Sequence, residues 1–287
     1  MLVTIFAVPF MGRALAVMLV LSVLGGLLGP FIVLRRLEFL TDSLTHTVLP
    51  GVVVGFIFGG VPGVFWGALG AAAVTAVAVT VLARSAVVRQ ETTVAVLLTT
   101  LFATGVVLLS RRSDYAGELT DFLTGQPLTL STVDVEMALG VALLVMLVLL
   151  ACGYLLYQRT FDPVDYEARG HSVFAADLIL NLLISVTVVC SVRTVGTLVA
   201  LGVLLLPGLI GTTLSRSWSG AMISGGLGLA VASWLGLVVS YIASVQADVQ
   251  VPPSAGIVLI GCLLAAVAGT WRGVRFRLSG ARRPDVA

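Results

Sequence analysis

Asp42 and His46 are a carboxylate and an imidazole standing together at the entrance of a long apolar stretch, and their four-residue separation places them on one face of a helix. From one face they can share a single ligand. Carboxylate oxygen with imidazole nitrogen suits manganese, zinc or ferrous iron, whereas copper(I) calls for thiolates or thioethers, which are missing around this pair. A charge inside a membrane span is costly and points to a function by default. An Asp–His hydrogen bond that satisfies two buried polar groups is the other reading, and spacing leaves both open.

Other polar residues are read against simpler alternatives. Glu38, one turn before Asp42, extends the same stripe and can serve as a second acidic contact on an exit path. Pairing with Arg35 or Arg36 at the membrane surface is the reading preferred for it. The segment Phe161-Asp162-Pro163-Val164-Asp165-Tyr166-Glu167-Ala168-Arg169-Gly170-His171 reads as a short capped helix. Asp162 suits its N-terminus, Pro163 its first position and Gly170 its end. It is either a lever on which another protein can push or a plain connection. His171 is expected to be solvated or at an interface, and Asp248 to be an ordinary loop carboxylate unless it receives cations or a donor protein. Cys152, Cys190 and Cys262 lie in apolar runs at unrelated spacings, which makes neither a metal cluster nor a disulfide framework. The sequence has no GxxxxGK[ST] phosphate loop and no evident Ser-His-Asp constellation.

The elements that position these residues are membrane spans. Hydrophobic residues make up 59% of the chain and charged ones 10%, which excludes a soluble fold. Charge-free stretches cover 47–83, 92–110, 137–158, 194–215, 218–247 and 249–271. At about 20 residues per crossing they predict an all-α polytopic membrane protein with eight to nine transmembrane helices. Spans are expected at about 14–34, from 43 to a turn at 59–63, from there to Arg84, and at 92–110, 137–157, 178–192, 195–214, 221–243 and 255–271. Nine crossings are preferred, with the N-terminus outside; a broken or re-entrant 195–214, which holds Pro207, would change the parity. The N-terminal apolar stretch leads straight into further spans and is not read as a removable signal peptide.

All 16 basic residues are arginines. If the Arg35-Arg36 turn is cytoplasmic, twelve of the sixteen lie inside, against Arg13, Arg111, Arg112 and Arg193 outside, as the positive-inside rule expects. The C-terminus is then cytoplasmic. Residues 1–278 are read as one transmembrane domain and 279–287 as a basic cytoplasmic tail.

The run Leu34-Arg35-Arg36 through Asp42-Ser43-Leu44-Thr45-His46-Thr47-Val48-Leu49-Pro50-Gly51 closely resembles the signature of the zinc/manganese-type permeases of bacterial ABC importers. Thr41, Ser43 and Thr45 stand where that family has glycine, alanine and serine. Resemblance continues at Thr124-Gly125, at Phe161-Asp162-Pro163 with Ala168-Arg169-Gly170, at Val195-Gly196-Thr197-Leu198 with Leu206-Pro207, and at Pro253-Ser254-Ala255-Gly256. Gly208-Leu209-Ile210-Gly211 replaces the family's alanine-rich run, and the loop before Pro253 is longer, which bears on the gates.

The resemblance implies an ABC importer permease fold and a permease subunit that passes a divalent transition-metal ion, manganese first, then zinc, then iron, from an extracytoplasmic metal-binding protein to the cytoplasm. It places Asp42 and His46 on the metal path. It makes 161–171 the coupling helix on the ATPase, with Phe161, Asp162, Pro163, Glu167, Arg169 and Gly170 in that role. The implied assembly is a homodimer in the bacterial inner membrane with two separate ABC ATPase subunits, which hydrolyse the ATP. No permanently bound cofactor and no nucleic acid is expected; the transported metal is cargo. An ABC permease for an organic metal chelate and a nucleotide-independent secondary transporter are the alternatives; inverted repeats, which would favour the latter, are not evident.

Overall fold

A computed structural model describes residues 9–84, 90–110, 130–246 and 252–278. Their regular structure is entirely helical. The helices are α1 Pro9–Arg35, α2 Glu38–Thr47, α3 Leu49–Leu82, α4 Gln90–Ser110, α5 Thr132–Phe161, α6 Pro163–Ala168, α7 Val173–Val195, α8 Thr197–Leu214, α9 Trp218–Gln246 and α10 Pro253–Leu278. Thr124-Gly125, Asp248 and the tail at 279–287 lie outside the described residues.

Eight stretches are long and apolar enough to cross a membrane, and the second, Glu38–Leu82, contains 45 residues. It is folded back on itself. Gly60 has φ 59° and ψ −153°, a left-handed conformation open to glycine, and Pro62 follows it. The arms then meet glycine to glycine, Gly55 against Gly63 and Gly51 against Gly67. Each arm rises about 33 Å at 1.5 Å per residue, enough to cross alone. The expected turn at 59–63 is therefore present, and this stretch makes two passes.

Contacts fix which ends lie together. At one end, Arg193 pairs with Asp134 at 3.3 Å and covers the Phe65 ring at 5.5 Å, while Arg13 donates to the Leu130 carbonyl at 2.8 Å. At the other, Arg35, Arg84, Gln90, Arg159 and Asp177 line one cavity, and Phe31 and Phe161 both touch Trp218. Followed from end to end, the described chain makes nine passes and finishes at the Arg35 end. Pro207 does not break α8, which runs uninterrupted from Thr197 to Leu214.

The bundle is organised around α1. Its Ala14, Val17, Met18, Leu21, Leu24, Leu28 and Ile32 are fully buried, whereas α4 and α5 keep most of their surface open to the hydrocarbon. Lipid is as apolar as leucine, so close van der Waals packing must hold such helices together, and small residues permit it. Gly25, Gly26 and Gly29 supply that surface on α1. The Gly25 backbone lies against the Val203 carbonyl and Gly29 against the backbone of Gly208. Pro207 removes the N–H that would otherwise bond the Val203 carbonyl, so the oxygen freed in α8 is the one α1 covers.

A Cβ at Gly25 has no room: it would meet the Val203 carbonyl and the Pro207 ring. Gly25→Val is therefore expected to destabilise the bundle by about 1–3 kcal/mol or more. Gly70→Ala, which meets open space on α3, should leave stability unchanged or raised by up to about 1 kcal/mol. Thermal unfolding of the two variants in detergent checks the contrast; equal melting temperatures would refute the α1–α8 packing account.

Candidate functional site

α2 is a short helix between two interruptions. Arg36 adopts a positive φ of 56° before it, and Pro50 stops the helical ladder after it. Pro50 has no N–H to bond the carbonyl four residues back, so the His46 carbonyl takes the Val48 N–H instead. The result is a ten-residue helix whose last turn carries His46 and whose middle carries Asp42, about 12 Å and 6 Å in from Glu38. Asp42 and His46 thus lie on one face, as their spacing predicts.

That face is open. His46 is exposed, Asp42 is half-buried, and the ring of Phe102 from α4 stands edge-on to the imidazole with centroids 5.9 Å apart. Among the described residues neither side chain makes a hydrogen bond or ion pair, with each other or with anything else. The alternative in which they simply satisfy one another is not the arrangement found. By contrast, Thr41, Ser43 and Thr45 are buried and bond back to backbone carbonyls of their own helix, at 3.0, 3.0 and 2.7 Å. No group of three or more His, Cys, Asp or Glu among the described residues could hold a metal. The pair therefore offers two free ligands on an incomplete site.

Glu38 makes no ion pair either, and the preferred pairing with Arg35 or Arg36 does not form. It lines a shallow cleft with Arg36, Phe39 and Glu91.

The capped segment between α5 and α7 forms as its residues dictate. The Asp162 carboxylate accepts from the Asp165 N–H at 2.9 Å, Pro163 opens α6, and Gly170 turns out of it with φ 79°. Arg169 donates to Asp165 at 2.7 Å across one turn. Tyr166 is buried against the structure while Val164 is 78% exposed, so α6 is anchored on one side and presents the other. Glu167 is exposed beside it. Phe161, just before α6, contacts Tyr157 at 4.7 Å and Trp218 at 5.6 Å, and Trp218 contacts Phe31 at 4.6 Å. This aromatic chain ties the exposed helix to α9 and to the buried α1.

The family model described as ABC 3 transport family matches residues 7–271. The chain belongs to that family. The manganese transport system membrane protein MntC of Halalkalibacterium halodurans is 30% identical over 261 residues, which cover 90% of this chain and 86% of that protein. The chelated iron transport system membrane protein YfeD of Yersinia pestis is 32% identical over 238 residues, covering 82% and 78%. In solved structures the fold recurs in PsaBC from Streptococcus pneumoniae in complex with Fab, with a TM-score of 0.77 at 24% identity, over 93% of this chain and 94% of that one. This ABC 3 family member is thus a multi-pass membrane permease, a transport subunit with the permease fold its sequence resembles.

In this ABC 3 permease, sequence reasoning missed an ionic junction. Arg35 donates to Asp177 at 2.8 Å, to the Thr160 hydroxyl at 2.8 Å and to the Leu156 carbonyl at 3.1 Å, and Arg159 donates to the other Asp177 oxygen at 3.1 Å. One carboxylate thereby joins the ends of α1, α5 and α7 beside α6. Asp177 was legible only as the end of a polar connection; no spacing rule links it to Arg35, 142 residues away. Asp177→Asn leaves two partly buried guanidinium groups without their counter-ion and is expected to cost about 1–3 kcal/mol. A double-mutant cycle with Arg35→Gln, read by thermal unfolding, should show non-additivity above about 0.5 kcal/mol; strict additivity would mean the junction contributes nothing.

Proposed function

We propose that this chain is the membrane-spanning subunit of an ATP-driven importer for divalent transition-metal ions, with manganese as the first candidate cargo, zinc next and iron third. The observation that carries it is the unpaired Asp42–His46 face. A carboxylate and an imidazole without partners cannot face lipid at this depth and belong against water, cargo or another polypeptide. Relatives named for manganese transport and for chelated iron transport support a metal cargo.

Two side chains fall short of the roughly six oxygen and nitrogen ligands manganese tends toward. A second copy of the chain, its α2 face turned to the first, would bring the count to four side chains, with water or the carbonyls around the α2–α3 break completing it. Incomplete coordination serves transport, because a path site has to release what it binds. The exposed face of α6, with Glu167 and Arg169, is the docking element for a cytoplasmic ABC ATPase, which supplies the hydrolysis. Motion imposed there travels through Phe161 and Trp218 to α1. The Arg35 end then faces the cytoplasm with the C-terminus, and an extracytoplasmic metal-binding protein delivers cargo at the Arg193 end of the bacterial inner membrane.

Proteoliposomes holding this chain, its ATPase and its binding protein should accumulate radioactive manganese or zinc in an ATP-dependent manner, and which ion accumulates names the cargo. Asp42→Ala and His46→Ala are each expected to lower accumulation at least tenfold while the ATPase still co-purifies. Normal transport by both variants would remove these residues from the path. Glu167→Arg should instead weaken co-purification of the ATPase and leave thermal stability within about 0.5 kcal/mol, as for an exposed surface position. Undiminished ATPase binding and transport in Glu167→Arg and Val164→Asp would rule out α6 as the docking element.

A further inference from the structure

At the Arg35 end, the termini of α1, α3, α4, α5 and α7 enclose a cavity of about 440 Å³ that no step of metal passage uses. Among the described residues its charged lining is lopsided: Arg35, Arg84 and Arg159 against the single carboxylate of Asp177. Both oxygens of that carboxylate are already engaged, one by Arg35 and one by Arg159. Two positive charges of the lining are left over. Arg35 and Arg159 are only 12% and 23% exposed, and the Arg159 Nε is buried with no hydrogen-bond partner. Arg84 faces the ring of Phe174 at 5.2 Å and pairs with no carboxylate among the described residues. Two guanidinium groups partly withdrawn from water share one carboxylate, and an orphaned buried N–H adds to the cost of that arrangement.

We propose that this cavity binds a phosphate group, carried either by the headgroup of an acidic phospholipid or by a soluble phosphate. The sign of the lining excludes a metal cation. Guanidinium forks match the tetrahedral oxygens of phosphate and bond them in pairs, which a spherical anion cannot exploit. The guanidinium donors of Arg84, with those of Arg159 that Asp177 does not engage, supply the bonds around one phosphate. The cavity is larger than a bare phosphate needs, and Leu34, Leu37, Val79 and Val173 give it apolar walls suited to a glycerol backbone. Leu34 is 46% exposed at the last turn of α1, the level at which lipid headgroups meet the protein. Pro163, the first residue of α6, also lines the cavity, so an occupant braces the helix offered to the ATPase.

The test uses the full chain in detergent, equilibrated with an equimolar mixture of phosphatidylglycerol and phosphatidylcholine, with retained lipid counted by native mass spectrometry. Delipidated protein is titrated in parallel with radioactive inorganic phosphate. Wild type is expected to retain phosphatidylglycerol several-fold over phosphatidylcholine, and Arg84→Gln and Arg159→Gln each to lower that retention about tenfold, the loss of one charge-assisted contact. Arg84 is exposed and rests on the Phe174 ring, so its variant keeps the bundle intact even if Arg159→Gln does not. Arg36→Gln, an exposed arginine outside the cavity lining, should change nothing. Saturable inorganic phosphate binding that Arg84→Gln weakens, without lipid selectivity, keeps the site and assigns it to a soluble phosphate. Equal retention of both lipids without phosphate binding, unchanged retention in Arg84→Gln, or an equal loss in Arg36→Gln overturns the proposal. None of these readouts involves a metal or ATP, so the outcome is independent of the transport reading.

Discussion

Hydrocarbon offers no partner to a polar group, and this constraint decides where nearly every charged residue of the chain sits. Described charges fall at the two ends of the bundle, and most that turn inward are matched. Arg193 meets Asp134, Arg35 and Arg159 share Asp177, and Arg13 finds the Leu130 carbonyl. Most buried neutral groups obey the same rule with local means, as when Thr41, Thr75, Thr80 and Ser185 bond nearby backbone carbonyls and Asn181 reaches across to Thr80, whereas the Thr47 and Ser191 hydroxyls have no partner among the described residues. Against that background an unmatched group stands out. Among the described residues Asp42 and His46 are unmatched inside a span, and Arg84 has no carboxylate beside the Arg35–Asp177–Arg159 junction.

The second constraint is that apolar helices in an apolar solvent gain little from burying apolar area. Cohesion then depends on how closely backbones approach, and the chain meets this with glycine at the crossings of α1 with α8 and α9 and within the 38–82 hairpin. Gly51 and Gly55 face Gly67 and Gly63, so the two arms pack as a unit, with α2 continuing the first arm. That unit and the α1–α8–α9 core are each tightly packed, and α2, bounded by Arg36 and Pro50, packs its Leu40, Thr41, Ser43, Leu44, Thr45 and Thr47 inward while Asp42 and His46 stay on its open face.

Much of this was legible in the sequence, and the rest was not for a physical reason. Span number, the turn around Gly60, the α6 cap built by Asp162, Pro163 and Gly170, and the shared face of Asp42 and His46 all follow from interactions within a few residues of the chain. Periodicity, capping chemistry and the fixed φ of proline report such interactions directly. Pro207 was ambiguous because a proline in a membrane helix either breaks it or frees a carbonyl that a neighbour covers, and only the position of Gly25 shows the second outcome. The Arg35–Asp177–Arg159 junction and the cavity beside it were not legible, since they join residues more than a hundred positions apart. Arg35 could be counted as an interfacial arginine, but its preference for Asp177 over nearby Glu38 depends on how α1 and α7 pack.

Asp42 and Asp177 make the distinction concrete. Both are carboxylates near the edge of an apolar helix, and nothing in their local sequence separates a ligand from a structural counter-ion. What separates them is the direction each faces: Asp177 points into the bundle, where two guanidinium groups use both of its oxygens, and Asp42 sits on an open helix face with neither oxygen used. A carboxylate already holding two cations would have to give them up before it bound a metal, whereas one with none can bind and release at the cost of its own hydration alone. Position along the membrane therefore does not by itself distinguish the two aspartates; the presence of an internal partner does, and in this bundle the inward turn of α7 and the outward turn of α2 decide which aspartate has one.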